Sequence, residues 1–339
     1  MAEVSLQTAL LPWQSAQFNR LQALHSNGRL AHAWLFAGKP GIGKLEFALH
    51  YTRYLLCRRA DSHGPCGACQ DCHLFAAGTH PDWLLLQPEL RQLKIEAIRD
   101  AIEFAQNTSQ RGGAKAIVIR PAEAMNLNAA NALLKILEEP PAQTYLLLIG
   151  EQPGLLLPTL RSRCQLLEFA PPPSNVALAW LKQQVQTDTR LEFYLELAQG
   201  APLHALALLQ QQAETGFGAL IMALEKLANG EATPVQAAKK CEDLGIRTSI
   251  DYQLLGIGRL LTALQTAQAA SLPALQPLLD RCTQMPGTVM MRRLHNYHAS
   301  LMQARRTAMA TNNANPQLML EALFTEWSQL MTTRTVRNP

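Results

Sequence analysis

The sequence of 339 residues predicts an α/β domain followed by an all-α region. Three observations predict this. Short apolar runs alternate with helical segments up to about residue 168. A glycine-rich loop joins the first of those runs to a helix. Beyond Pro171-Pro172-Pro173 the chain is rich in Leu, Ala and Gln, good helix formers, and carries no convincing strand.

Trp13 to Ser26 reads as the first helix, with Phe18, Leu21 and Leu24 at helical spacing. The apolar runs Ala33–Ala37, Trp83–Leu86, Ala116–Ile119 and Tyr145–Ile149 read as strands of a parallel sheet covered by helices on both faces. A helix over Leu45–Leu56 follows the glycine loop. Another over Asn128–Glu138 places Ala130, Leu133, Leu134 and Leu137 on one face, and Pro140-Pro141 ends it. After the triple proline, Gln199-Gly200-Ala201-Pro202 reads as a helix stop and restart. The segments Asn229–Pro234 and Thr311–Pro316 read as loops between longer helices.

Composition narrows the class. Hydrophobic residues make up 48% of the chain and charged residues 17%, as in a folded protein. A net charge of +4 from 30 basic and 26 acidic residues is too even to mark a nucleic-acid binder, so any DNA contact is expected to be local or shared with partners. Met1–Leu10 does not resemble a signal peptide, and no apolar run approaches a membrane span, so a soluble cytoplasmic protein is expected. In that reducing compartment the seven cysteines are not expected to form a disulfide framework.

Gly38-x-x-x-x-Gly43-Lys44 has the pattern of a phosphate-binding loop except at its last position. The glycines let backbone N–H groups wrap a phosphate and Lys44 supplies a cation, but Leu45 stands where a hydroxyl would ligate Mg²⁺. At the end of the Ala116–Ile119 run, where such ATPases carry an aspartate, the chain has Arg120-Pro121; Glu123 is acidic but lies a few residues late. Hydrolysis is therefore not expected. Weak residual ATP binding and a purely structural glycine turn both remain compatible with the loop.

Cys57, Cys66, Cys69 and Cys72 place four thiols within sixteen residues, and Gly64, Pro65 and Gly67 permit the tight turns between them. Four thiolates close a tetrahedral, structural Zn²⁺ site. His63 and His73 are alternative ligands; a thioredoxin-like pair would use two cysteines, not four. Cys164, Cys241 and Cys282 are scattered and read as packed thiols. Arg161 and Arg163, in Leu160–Cys164, are either surface charge or donors to a phosphate site in a neighbouring subunit.

Together these motifs resemble the clamp-loader branch of the AAA+ ATPases. Ser162-Arg163-Cys164 is similar to that branch's signature, and Asn131–Pro141 to its recurrent helix. The cysteine module is shared by the bacterial gamma/tau and delta-prime types. The degenerate loop, Arg120-Pro121 and Gly78-Thr79-His80-Pro81-Asp82 resemble the delta-prime type, the match being dense over about residues 30–173.

The resemblance implies a RecA-like core with an inserted zinc module over residues 1–168, a helical lid over 169–213 and a helical collar over 214–339. It places Cys57, Cys66, Cys69 and Cys72 on the zinc ligands and Arg163 on an arginine finger acting on ATP held by an adjacent gamma/tau subunit. Leu203 falls where hydrolysing relatives carry a sensor arginine. The implied partners are the gamma/tau and delta subunits and, through the complex, the sliding clamp and primer–template DNA. Two rivals remain: an ATP-hydrolysing gamma/tau-type motor, which needs a hydroxyl at 45 and an acid at 120, and a non-replicative zinc-bearing interaction protein.

Overall fold

The computed structural model describes residues 6, 9–88, 92–185, 190–211, 213–268, 272–310 and 315–332. Most of the Met1–Leu10 segment and positions 311–314 of the expected loop lie outside them. Among the described residues no helix is long and apolar enough to cross a membrane.

The first part of the chain alternates as expected: α1 (Ser15–Ser26), β1 (Ala33–Gly38), α2 (Lys44–Leu56), α3 (Gln70–Ala76), β2 (Trp83–Leu86), α4 (Ile95–Gln106), β3 (Lys115–Ile119), α5 (Leu127–Glu138), β4 (Thr144–Gly150), α6 (Pro158–Arg161) and β5 (Gln165–Phe169). The five strands form one parallel sheet in the order β2-β3-β4-β1-β5. Successive side chains of β1 go to opposite faces, as the pleat dictates. Ala33 and Leu35 join a core built with Ile98, Ala101, Leu133 and Leu137 of α4 and α5. On the other face Phe36 meets Phe47 at 5.3 Å and Phe169 at 5.6 Å between ring centroids.

Four elements of this layer escaped the sequence reading: the short helices α3 and α6, the strand β5 and the helix α4. The edge strand β5 mixes buried Leu167 and Phe169 with exposed Gln165, Leu166 and Glu168, so it lacks the continuous apolar run of the four strands that were read. Helix α4 buries only Ile98, Ala101 and Ala105, a sparse stripe of small and medium side chains.

The remaining elements are helices: α7 (Ser174–Gln184), α8 (Leu191–Leu197), α9 (Pro202–Gln210), α10 (Ala213–Asn229), α11 (Pro234–Lys240), α12 (Ile246–Thr266), α13 (Gln276–Cys282), α14 (Gly287–Ala310) and α15 (Pro316–Met331). No strand follows β5 among the described residues. Two compact units result. One comprises Met1–Leu191 with Ala198–Leu206, and so includes the sheet, α7 and the first half of α9; the other comprises Glu192–Leu197 and Ala207–Pro339. In the second unit Trp327 of α15 is fully buried against Tyr297 of α14, and its indole N–H donates to the Leu224 carbonyl of α10 at 2.8 Å.

Candidate functional sites: a glycine loop, a four-cysteine cluster and a partly exposed arginine

The loop between β1 and α2 has the backbone of a phosphate cradle, with Gly41 at φ +74° and Gly43 at φ +90°, the left-handed region that favours glycine. Its own chain packs against the carbonyl side of the loop from two directions. Gln14, fully buried just before α1, donates from Nε2 to the Gly43 carbonyl at 2.6 Å, and the Trp13 indole donates to the Ile42 carbonyl at 3.0 Å. From the other side, the Leu203 N–H at the start of α9 donates to the Gly41 carbonyl at 3.0 Å. A Cβ at Gly41 would lie 2.4 Å from the Cβ of His204, and one at Gly43 2.3 Å from a Leu11 methyl. These contacts engage the carbonyls and Cα faces of Gly41 and Gly43 and fix the backbone of the loop.

Lys44 is turned inward. It is 5% exposed, and its Nζ donates to the loop's own carbonyls of Gly38 at 2.7 Å and Lys39 at 2.6 Å. Burial lowers its pKa, and Arg120 adds to the lowering, while Glu151, Glu123 and Glu46 oppose it. Leu45 packs with the cluster of Leu49, Leu56 and Phe75, so the position of the missing hydroxyl serves as core. Glu123 is occupied as well: its Oε1 accepts the Gln152 N–H at 2.6 Å.

The four cysteines that spacing singled out do come together. Their Sγ atoms all lie within 4.8 Å of one another, with Cys57 and Cys69 at 3.8 Å. A tetrahedral ion with bonds of about 2.3 Å to sulfur sets its ligands about 3.8 Å apart, so the donor set fits. The Cys66 N–H donates to Cys57 Sγ at 3.3 Å and the Cys72 N–H to Cys69 Sγ at 3.4 Å. The Cys69 sulfur thereby caps α3. His63 and His73 are not in the group. Burial pushes the other three thiols up, Cys164 and Cys282 to about 12 and Cys241 to about 11, as expected of packed cysteines.

A buried ionic network, missed from the sequence, ties this module to the sheet. Asp71, between two of the cysteines and 2% exposed on its side chain, meets Arg111 at 2.7 Å, Arg58 at 3.2 Å and His80 at 3.6 Å. Arg58 also donates to the Arg111 carbonyl. Asp82 then accepts from Ser109 Oγ at 2.8 Å, the Gln110 N–H at 2.7 Å and the Arg111 N–H at 2.8 Å. His80 Nδ1 accepts the Asp82 N–H at 3.1 Å, and burial lowers its pKa, so the ring is held neutral with its proton on Nε2. The segment Gly78–Asp82 is therefore a brace between β2, the cysteine module and the turn before β3. Its signal in the sequence is the pair His80 and Asp82 beside an apolar strand.

Arg163 lies just after α6, its backbone fixed between the buried Leu160 and Cys164. Its guanidinium is partly exposed and pairs with Glu138 at 2.7 Å. Arg161 rests instead on the Pro153 carbonyl at 3.4 Å. The phosphate loop, the cysteine cluster and Arg163 are thus three separate features on one α/β scaffold.

A family model described as DNA polymerase III, delta subunit, matches residues 13–173, the stretch that carries all three. The DNA polymerase III subunit delta' of Pseudomonas aeruginosa is 34% identical over 95% of this chain and 98% of its own length. The Escherichia coli subunit of the same name is 42% identical over 59% of this chain and 60% of its own. A solved Thermotoga maritima DNA polymerase III gamma-subunit-related protein covers 92% of this chain and 99% of its own at 19% identity, with a TM-score of 0.44. Identity sustained along nearly the whole of both chains decides the assignment: this chain belongs to the family of DNA polymerase III subunit delta'.

Proposed function

We propose that this chain is a non-hydrolysing clamp-loader subunit: a stator that supplies Arg163 in trans to ATP held by a neighbouring gamma/tau subunit while a sliding clamp is loaded onto primed DNA. One observation carries the reading. In the chain's own phosphate loop Leu45 packs into the core and Lys44 is spent on carbonyls of the same loop, while Arg163 stays partly exposed. A subunit built this way has no use for nucleotide of its own and keeps a donor for another's.

Cys57, Cys66, Cys69 and Cys72 would hold a structural Zn²⁺, which closes the loop between α2 and α3 into a fixed knuckle. Around it the chain's own residues do the bracing: Asp71 and Arg111 anchor the knuckle to the turn before β3. Residues 1–168, 169–213 and 214–339 would serve as ATPase-like core, lid and collar, the last assembling with gamma/tau and delta. The working location on this reading is the cytoplasm.

The test is reconstitution with gamma/tau and delta subunits, with particle mass and clamp- and DNA-stimulated ATP turnover as readouts. Arginine fingers contribute about 10³–10⁵ in kcat where they have been removed. Arg163→Ala is therefore expected to silence the one site it serves and lower the turnover of a normally assembled complex. Unchanged turnover in a correctly assembled Arg163→Ala complex refutes the finger, and hydrolysis by the lone chain refutes the stator.

A further inference from the structure

Glu138 is the last residue of α5, followed by Glu139 and two prolines. A carboxylate at that end faces the negative pole of the helix dipole, so helix stability does not call for it. It is also half exposed, where an ion pair adds little to folding. What the carboxylate does is hold an arginine: Glu138 Oε1 accepts from Arg163 Nη2 at 2.7 Å. The other terminal nitrogen, Nη1, donates to the Thr159 carbonyl of α6 at 2.9 Å. Helices α5 and α6 pack together, and the guanidinium links the Glu138 carboxylate of one to the Thr159 carbonyl of the other.

The arrangement fixes one rotamer of a long side chain without using it up. A guanidinium carries five N–H donors in a planar fork, and about 36% of the Arg163 side chain remains exposed. The donors not aimed at Glu138 and Thr159 are available to a phosphate oxygen. Leu160 and Cys164, buried on either side, keep the backbone from adjusting.

We propose that Glu138 is a positioning residue for Arg163, pre-ordering its guanidinium to meet the phosphate of a nucleoside triphosphate bound by a neighbouring subunit. The inference rests on the arginine-finger reading above and adds the group that orients the finger. Without Glu138 the side chain must be ordered at each encounter, at the expense of the transition state and not of ATP binding.

The experiment uses the complex reconstituted with gamma/tau and delta subunits and follows stimulated ATP turnover. Glu138→Ala is expected to lower kcat roughly two- to tenfold, the factor that corresponds to losing one immobilised, rotamer-rich side chain. KM for ATP stays unchanged. Glu138→Gln, whose amide oxygen still accepts from Nη2, recovers most of the rate. In an Arg163→Ala background, Glu138→Ala has no further effect. Particle mass and melting temperature verify that each variant assembles. Wild-type or faster turnover with Glu138→Ala overturns the proposal, and so does an equal loss in the Arg163→Ala background, which would mark a structural role. If Arg163→Ala itself leaves turnover intact, the finger reading fails first, and the two failures are thereby told apart.

Discussion

Asp82→Asn removes the charge on which the turn before β3 is built. The carboxylate is 1% exposed and accepts on both oxygens: Oδ1 from the Gln110 N–H, Oδ2 from the Arg111 N–H and from Ser109 Oγ. An asparagine has one acceptor oxygen, so in either orientation its NH₂ confronts a backbone N–H. One charge-assisted bond is lost and one buried donor is stranded, a combined cost of about 3 kcal/mol. For a unit of this size that lowers the melting temperature by about 6–12 °C. The effect must also depend on pH. Burial raises the pKa of Asp82, but the N–H donors of Gln110 and Arg111 and the hydroxyl of Ser109 outweigh it, so the net shift is downward. A carboxyl depressed in the native state contributes stability that is complete above its unfolded pKa of about 4 and is lost as pH falls through the native value. Calorimetry of the wild type and Asp82→Asn from pH 7 to pH 3 should therefore show a gap that is full at neutrality and closes below about pH 4. A gap under about 1 kcal/mol at pH 7, or one that does not change with pH, refutes the reasoning.

The cysteine cluster predicts one zinc per chain by metal analysis. Cys69→Ser, which removes a buried thiolate ligand while its hydroxyl can still cap α3, should weaken retention by more than about a hundredfold, since even outer-shell losses reach that range; full zinc content in the variant would dismiss the site. Leu45→Thr restores the missing hydroxyl but not an acid at Arg120, and Lys44 stays engaged with the loop's own carbonyls, so the isolated variant should still not hydrolyse ATP, as followed by phosphate release. It should also lose about 1–2 kcal/mol from the cluster that Leu45 shares with Leu49 and Phe75; turnover by the lone variant would show that the missing acid is not needed.

The features legible in the sequence are those that local pattern encodes. Strands β1, β3 and β4 are buried on both faces, and the half-buried β2 is apolar throughout, so their apolar runs stand out without any knowledge of neighbours. The cysteine spacing brings four thiols within one knuckle's reach, and the glycine pattern marks a loop between strand and helix. The losses at Leu45 and Arg120 are likewise visible as single residues of the wrong chemistry.

Features made by distant segments were not legible. β5 alternates polar Gln165 and Glu168 with apolar residues, so it lacks the apolar run that announces β2, the other edge strand. Nothing near Gly41 or Gly43 in sequence foretells that Gln14 and His204 pack against them. The brace of Asp71, His80, Asp82 and Arg111, and the pairing of Arg163 with Glu138, join residues from separate elements.

The sequence by itself determined that the chain is an α/β core with a cysteine knuckle, a damaged phosphate loop and a spare arginine. Only the tertiary structure decided that Lys44 is engaged with the loop's own carbonyls, that the knuckle is ionically locked to the sheet, and that the arginine is held by Glu138. Periodicity and spacing report how a segment relates to itself; which buried charge finds which partner is fixed when the folded chain brings distant groups within hydrogen-bonding distance, where an unpaired one would be too costly to keep.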